Sequence, residues 1–148
     1  MKLPMRTQYG LRMLCQMASE FENGPMQMSE IAEREGVSEK YLGQIMLVLR
    51  SSGLVSSIRG AQGGYYLNSP PDRINLLQVF EVLEGAVFDF DNAPEDLAPQ
   101  SECKSTLPGA NMVWSKVRKA IEDVLRAYTL EDVVRLGMYK AGYMDFRI

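Results

Sequence analysis

A chain of 148 residues with 46% apolar and 24% charged side chains has the size and composition of one globular unit, which excludes a disordered chain. Sixteen basic and nineteen acidic side chains leave a net charge of −3, so bulk charge does not mark a nucleic-acid binder, and any anion-binding face must be local. There is no histidine, which excludes Ser-His-Asp triads, imidazole bases and histidine metal ligands, and two cysteines, Cys15 and Cys103, are too few for a disulfide framework.

The first helix is expected over residues 6–21, with Leu11, Leu14, Cys15, Ala18 and Phe21 facing inward at three- and four-residue spacing. Asn23-Gly24-Pro25 ends it. A second helix, 28–35, turns Met28, Ile31 and Ala32 inward and Glu30, Glu33 and Glu35 outward. Gly36 makes the turn, Ser38 is an N-cap, and a third helix runs to about Ser52 with Leu42, Ile45, Met46 and Leu49 as its inner stripe. Gly53 stops it. Two short helices joined through a glycine turn read as a helix-turn-helix.

The period then changes. Leu54–Ile58 and Tyr65–Leu67 read as strands, with Arg59-Gly60-Ala61-Gln62-Gly63-Gly64 as the hairpin tip. A phosphate-binding glycine loop would be followed by a helix, whereas a strand follows here. A fourth helix over 75–84 buries Leu76, Val79, Phe80 and Leu83, and residues 86–108 are acidic, proline-interrupted and irregular. The longest helix spans 110–128, and Thr129 caps a last one over Leu130–Leu136. No apolar run reaches membrane-spanning length and no signal peptide is evident, so the chain reads as cytoplasmic with reduced thiols.

The expected fold is mainly α with a small β wing: a winged helix-turn-helix over 1–73 and a regulatory and dimerisation region over 74–148. Such a fold places its third helix in the major groove of double-stranded DNA and its wing beside the backbone. Opposite the inner stripe lie Lys40 and Gln44, with Ser38 and Tyr41 near the helix start; glutamine pairs with adenine, lysine with guanine or phosphate, and hydroxyls with phosphate. In the wing, Arg59 and the small residues Gly60, Gly63 and Gly64 suit close approach to a minor groove, with Gln62 the one larger side chain at the tip. Arg6, Tyr9, Arg50 and Ser57 complete the candidate DNA-binding set. A solvated polar helix face would account for Lys40 and Gln44 equally well. Trp114, Val117, Ile121, Val124, Leu125 and Tyr128 form a stripe over four turns of the long helix, suited to a homodimer or to packing within the subunit.

Tyr9-Gly10-Leu11-Arg12, Ile31-Ala32-Glu33-Arg34, Val37-Ser38-Glu39-Lys40-Tyr41-Leu42, Gly53-Leu54-Val55 and Arg59-Gly60-Ala61-Gln62-Gly63-Gly64-Tyr65 closely resemble the Rrf2 family of bacterial transcription regulators. The similarity continues through Leu83-Glu84-Gly85, Trp114 and Thr129-Leu130-Glu131-Asp132. It implies a homodimeric winged-helix DNA-binding protein whose long helix crosses its partner. Two departures stand out. Many members resemble Tyr-Leu-Glu-Gln where this chain has Tyr41-Leu42-Gly43-Gln44, and cluster-binding members carry three cysteines where residues 86–108 hold only Cys103. No iron–sulfur cluster or other metal is therefore expected, since a cluster needs about four ligands. The signal is left to a small effector, a partner protein or oxidation of Cys103, a candidate redox thiol that reads equally as a spectator. Cys15 reads as structural. The leading expectation is a transcriptional repressor and not an enzyme; the alternative is a winged-helix interaction module that has lost DNA binding.

Overall fold

The computed structural model describes residues 3–85 and 108–141. In order they form α1 (Met5–Ser19), α2 (Met28–Glu35), α3 (Glu39–Ser51), β1 (Val55–Ile58), β2 (Gly64–Leu67), a 3-10 turn (Pro71–Arg73), α4 (Leu76–Glu84), α5 (Pro108–Ala127) and α6 (Leu130–Lys140). The mainly helical architecture with one small sheet is as expected, and α6 runs four residues further than its sequence pattern indicated. No helix of the described residues is long and apolar enough to cross a membrane.

Local chemistry sets the boundaries. Gly36 closes α2 in the left-handed conformation at φ 64°, which glycine adopts without the Cβ penalty. The Ser38 hydroxyl accepts from the Tyr41 N–H at 3.3 Å and so caps α3, and Asn75 does the same for α4 through the Gln78 N–H at 2.9 Å. Thr129 and Asp132 satisfy each other's backbone N–H groups in a capping box that starts α6. The hydrogen bonds from Thr129 are also what hold the Asp132 carboxyl below its usual range, backbone first.

One buried cluster unites the elements. It draws Met13, Leu14 and Met17 from α1, Ile31 from α2, Leu42, Ile45, Met46 and Leu49 from α3, Val55 and Leu67 from the strands, and Ile74, Val79, Leu83 and Leu130 from beyond residue 73. The inner stripe of α3 is as expected. That of α1 is rotated: Thr7, Gly10, Met13, Leu14 and Met17 are buried, Leu11, Cys15 and Ala18 half-buried, and Phe21 is 40% exposed. The cause is close packing on α4. A Cβ on Gly10 would lie 2.6 Å from a Leu83 methyl carbon, and the buried Thr7 hydroxyl donates to the Glu84 carboxylate, so the tightest contact uses a glycine and a threonine. In α4 itself Leu77, Val79 and Leu83 are buried, while Leu76 and Phe80 are only half covered. Glu35 also departs from expectation. Its side chain is 10% exposed, bonded by Arg12 at 3.2 Å and by the Gln16 amide.

The two strands pair antiparallel from Val55 opposite Leu67 to Ile58 opposite Gly64. Met26, in the α1–α2 connection, adds a further bridge to Tyr65, with N–H to O distances of 2.9 and 2.8 Å. The wing is thereby fixed on both sides. A second isolated bridge joins Asn75 to Thr129, so the starts of α4 and α6 are tied side by side.

These geometries separate two glycines. At Gly64 (φ 155°) a Cβ would meet the Met26 carbonyl oxygen at 2.4 Å, and backbone cannot swing aside. At Gly43 a Cβ would meet nothing within 4 Å. Gly64→Ala is expected to lower stability by about 3 kcal/mol, from backbone strain and overlap together. Gly43→Ala is expected to raise it by about 1 kcal/mol through helix propensity. Urea denaturation of the two variants checks both signs; a neutral Gly64→Ala would break the account of the wing.

Candidate nucleic-acid interface

Three elements converge on one hollow of about 470 Å³: the start of α2 (Gln27, Met28), the end of α3 (Arg50) and the wing (Ser57, Arg59, Gly60, Gly63, Gly64). Gln27 supplies no side-chain cap, so the first N–H groups of α2 are not closed off by their own N-cap. Positive helix-end potential, two guanidinium groups and a hydroxyl therefore share one concavity, a set of groups that suits an anion. Arg50 also borders a second hollow of about 480 Å³, with Leu47, Ser51, Ser56 and Ser57 along it.

The pairing of the cations adds a sharper observation. Arg12 is paired with Glu35, Arg34 with Glu20 and Glu30, and Arg135 with Asp132. Among the described residues, no carboxylate pairs with Arg6, Lys40, Arg50 or Arg59. All four are exposed. The cations expected to meet DNA are among those without a carboxylate partner, as are Arg73, Lys116, Lys119, Arg126 and Lys140; what sets Arg50 and Arg59 apart is that they share one hollow.

The other expected residues divide. Gln44 is exposed on the outer face of α3, in the same row as Lys40, and Gln62 is exposed at the wing tip. Ser38 is exposed and its oxygen is already engaged as the cap, which leaves its O–H to donate elsewhere. Tyr41 and Tyr9 lean inward: both are half-buried against the core, their rings edge-to-face at 5.8 Å, with the Arg12 guanidinium 5.7 Å from the Tyr9 ring centre. Their first role is to seat the start of α3 on α1. Gly63 and Gly64 likewise have a structural reason. Gly63 is buried, with room for no Cβ because the Ile58 carbonyl oxygen would lie 2.2 Å away, and Gly64 backs onto Met26. Gly60 alone of the three stands in open space, at φ 117°. Sequence reasoning missed the Arg12–Glu35 contact, the open start of α2 and the exposure of Leu47; the three-residue step from Gln44 to Leu47 was the available signal for the last.

Cys103 lies outside the described residues. Cys15 is described: burial, and secondarily the neighbouring Glu35 charge, pushes its thiol up to about 11. At neutral pH it is a protonated thiol.

A family model described as an iron-dependent transcriptional regulator, Rrf2, matches residues 3–136. The chain belongs to the Rrf2 family. It is a DNA-binding transcriptional regulator of that family by this match and by its relatives. The HTH-type transcriptional regulator CymR of Bacillus subtilis (strain 168) is 37% identical over 145 residues, covering 98% of this chain and 96% of that one. Protein rrf2 of Nitratidesulfovibrio vulgaris is 33% identical over 137 residues, 91% of this chain and 88% of that one. The solved structure of the Bacillus subtilis CymR, the global cysteine regulator, superposes with a TM-score of 0.75 at 34% identity, covering 98% and 99% of the two chains. That of T. potens IscR does so at 0.74 and 37%, covering 99% and 94%. The winged-helix fold read from the sequence is the fold of these regulators.

The iron in the family description meets a poor donor set here. The chain has two cysteines and no histidine. Among the described residues no group of three His, Cys, Asp or Glu side chains could hold a metal ion. Cys15 would have to lose a proton that its surroundings hold tightly. These residues do not fit an iron–sulfur cluster.

Proposed function

We propose that the chain is a homodimeric repressor that occupies a pseudo-palindromic operator and so excludes polymerase. The observation that carries the reading is the placement of three exposed cations without carboxylate partners, Lys40, Arg50 and Arg59, along the outer face of α3 and around the hollow it shares with the wing. A winged-helix module that had lost DNA binding would have no use for them. In this reading α3 enters the major groove, Gln44 pairs with adenine, and Lys40 reaches guanine or phosphate. A backbone phosphate fills the hollow between Arg50, Ser57 and the start of α2. Arg59 follows the narrow minor groove.

Selection of bound fragments from a random DNA pool by the full chain tests this and yields the operator. Arg59→Ala is then expected to weaken binding to all sequences and to lower the salt slope by about one. Gln44→Ala is expected to relax preference at one base pair per half-site by about 1–3 kcal/mol. Unchanged affinity and preference in both variants, at fixed salt, would defeat the reading.

The second copy is proposed to cover α5. Trp114, Val117 and Val124 are exposed on it and Tyr128 just past its end, whereas Ile121 and Leu125 are half-buried. An apolar face of this kind on both members of a two-fold pair is self-complementary. Val124 is 58% exposed, so Val124→Asp is expected to keep the subunit folded while converting a micromolar dimer into a monomer. Sedimentation of the two proteins checks this; a monomeric wild type would refute it.

No cofactor is proposed. Protein purified without oxygen is expected to be colourless and to lack stoichiometric iron and sulfide. A broad visible band with matching iron would overturn that.

A further inference from the structure

The outer face of α3 presents four exposed side chains in one row: Lys40, Gln44, Leu47 and Ser51. Three are polar. Leu47 is 61% exposed, as exposed as any large apolar side chain among the described residues. The fold does not need it there, because Leu42, Ile45, Met46 and Leu49 already hold the helix from the other side. Nor does it belong to an apolar patch. Its neighbours in the row are an ammonium, an amide and a hydroxyl, and the hollow beside it is bordered by Arg50, Ser51, Ser56 and Ser57, with the buried Val55 and the half-buried Tyr66 behind them. A protein partner docking through a leucine would find an exposed apolar surround; Leu47 is the one exposed apolar side chain of this lining, beside groups that suit phosphates and base edges.

In the major groove the one apolar group a base presents is the 5-methyl of thymine. We propose that Leu47 is a specificity-determining residue that packs on a thymine methyl in each half-site. The inference rests on the DNA-binding reading above and adds the chemistry of one base pair to it. Geometry limits where that base lies. Three residues of helix advance about 4.5 Å, little more than one base-pair step of about 3.4 Å, so the thymine falls within two base pairs of the one read by Gln44.

The selected operator supplies the test. Each thymine is replaced in turn by deoxyuridine, which pairs identically and lacks only the methyl, and affinity of the full chain is measured at fixed salt. One thymine per half-site, within two base pairs of the position relaxed by Gln44→Ala, is expected to cost about fourfold on replacement, the factor for exposing one methylene-sized group. Leu47→Ala is expected to melt like the wild type, to bind the thymine operator about fourfold more weakly per half-site, and to no longer distinguish thymine from deoxyuridine. If every deoxyuridine operator binds as well as its parent, or if Leu47→Ala keeps the discrimination, the assignment to Leu47 is overturned while DNA binding stands. If the pool yields no enriched sequence, the DNA-binding reading itself fails and this inference falls with it.

Discussion

The arrangement depends on how closely α1 can approach α4. Gly10 admits Leu83 because it has no side chain, and the neighbouring Thr7 hydroxyl is satisfied by Glu84, so a buried polar group costs nothing at that joint. With α1 seated there, Met13, Leu14 and Met17 reach the centre of the molecule and meet residues of α3, the wing and α6. The recognition helix is thus positioned from behind by packing. It is positioned at its start by the edge of Tyr41 on Tyr9 and by the Ser38 cap. The side chains on its outer face take their direction from this packing on the opposite side.

Legibility from sequence followed that division. The α3 stripe was readable because all four inner residues are large and apolar at helical spacing, with a serine cap before them and a glycine behind. The α1 face was not, because its deepest positions hold Thr7 and Gly10, which hydrophobic periodicity discounts. Glu35 was read as solvated because its partners, Arg12 and Gln16, lie on another helix. The wing glycines gave the right location for a partly different reason. Clustering identified a tight hairpin, yet Gly63 and Gly64 are demanded by the carbonyls of Ile58 and Met26, contacts that only three dimensions bring together. Chain order likewise hides the fact that Arg50 and Arg59 share one hollow.

Net charge is a poor guide to this protein, and the pairing pattern says why. The acidic excess of the whole chain coexists with a local basic face because Arg50 and Arg59 share one hollow without a carboxylate partner, whereas Arg34 sits between Glu20 and Glu30, and Arg135 against Asp132. Surface pairs of this kind add little stability. Their effect is to lower the positive potential at those two places, while Arg50 and Arg59 add theirs within one concavity.

The bridge between Asn75 and Thr129 has a mechanical corollary. The Leu76 N–H donates to the Tyr128 carbonyl at 2.9 Å, which clamps the C-terminal end of α5 to the start of α4. From that clamp α5 extends back over 20 residues, a rod of about 30 Å. A tilt of about 10° at the clamp would swing the far end by about 5 Å, more than one base-pair step. Any event that repacks the short α4–α6 junction is therefore geared up at the other end of the rod, and in a two-fold pair joined along α5 the gear acts twice on the separation of the two reading heads.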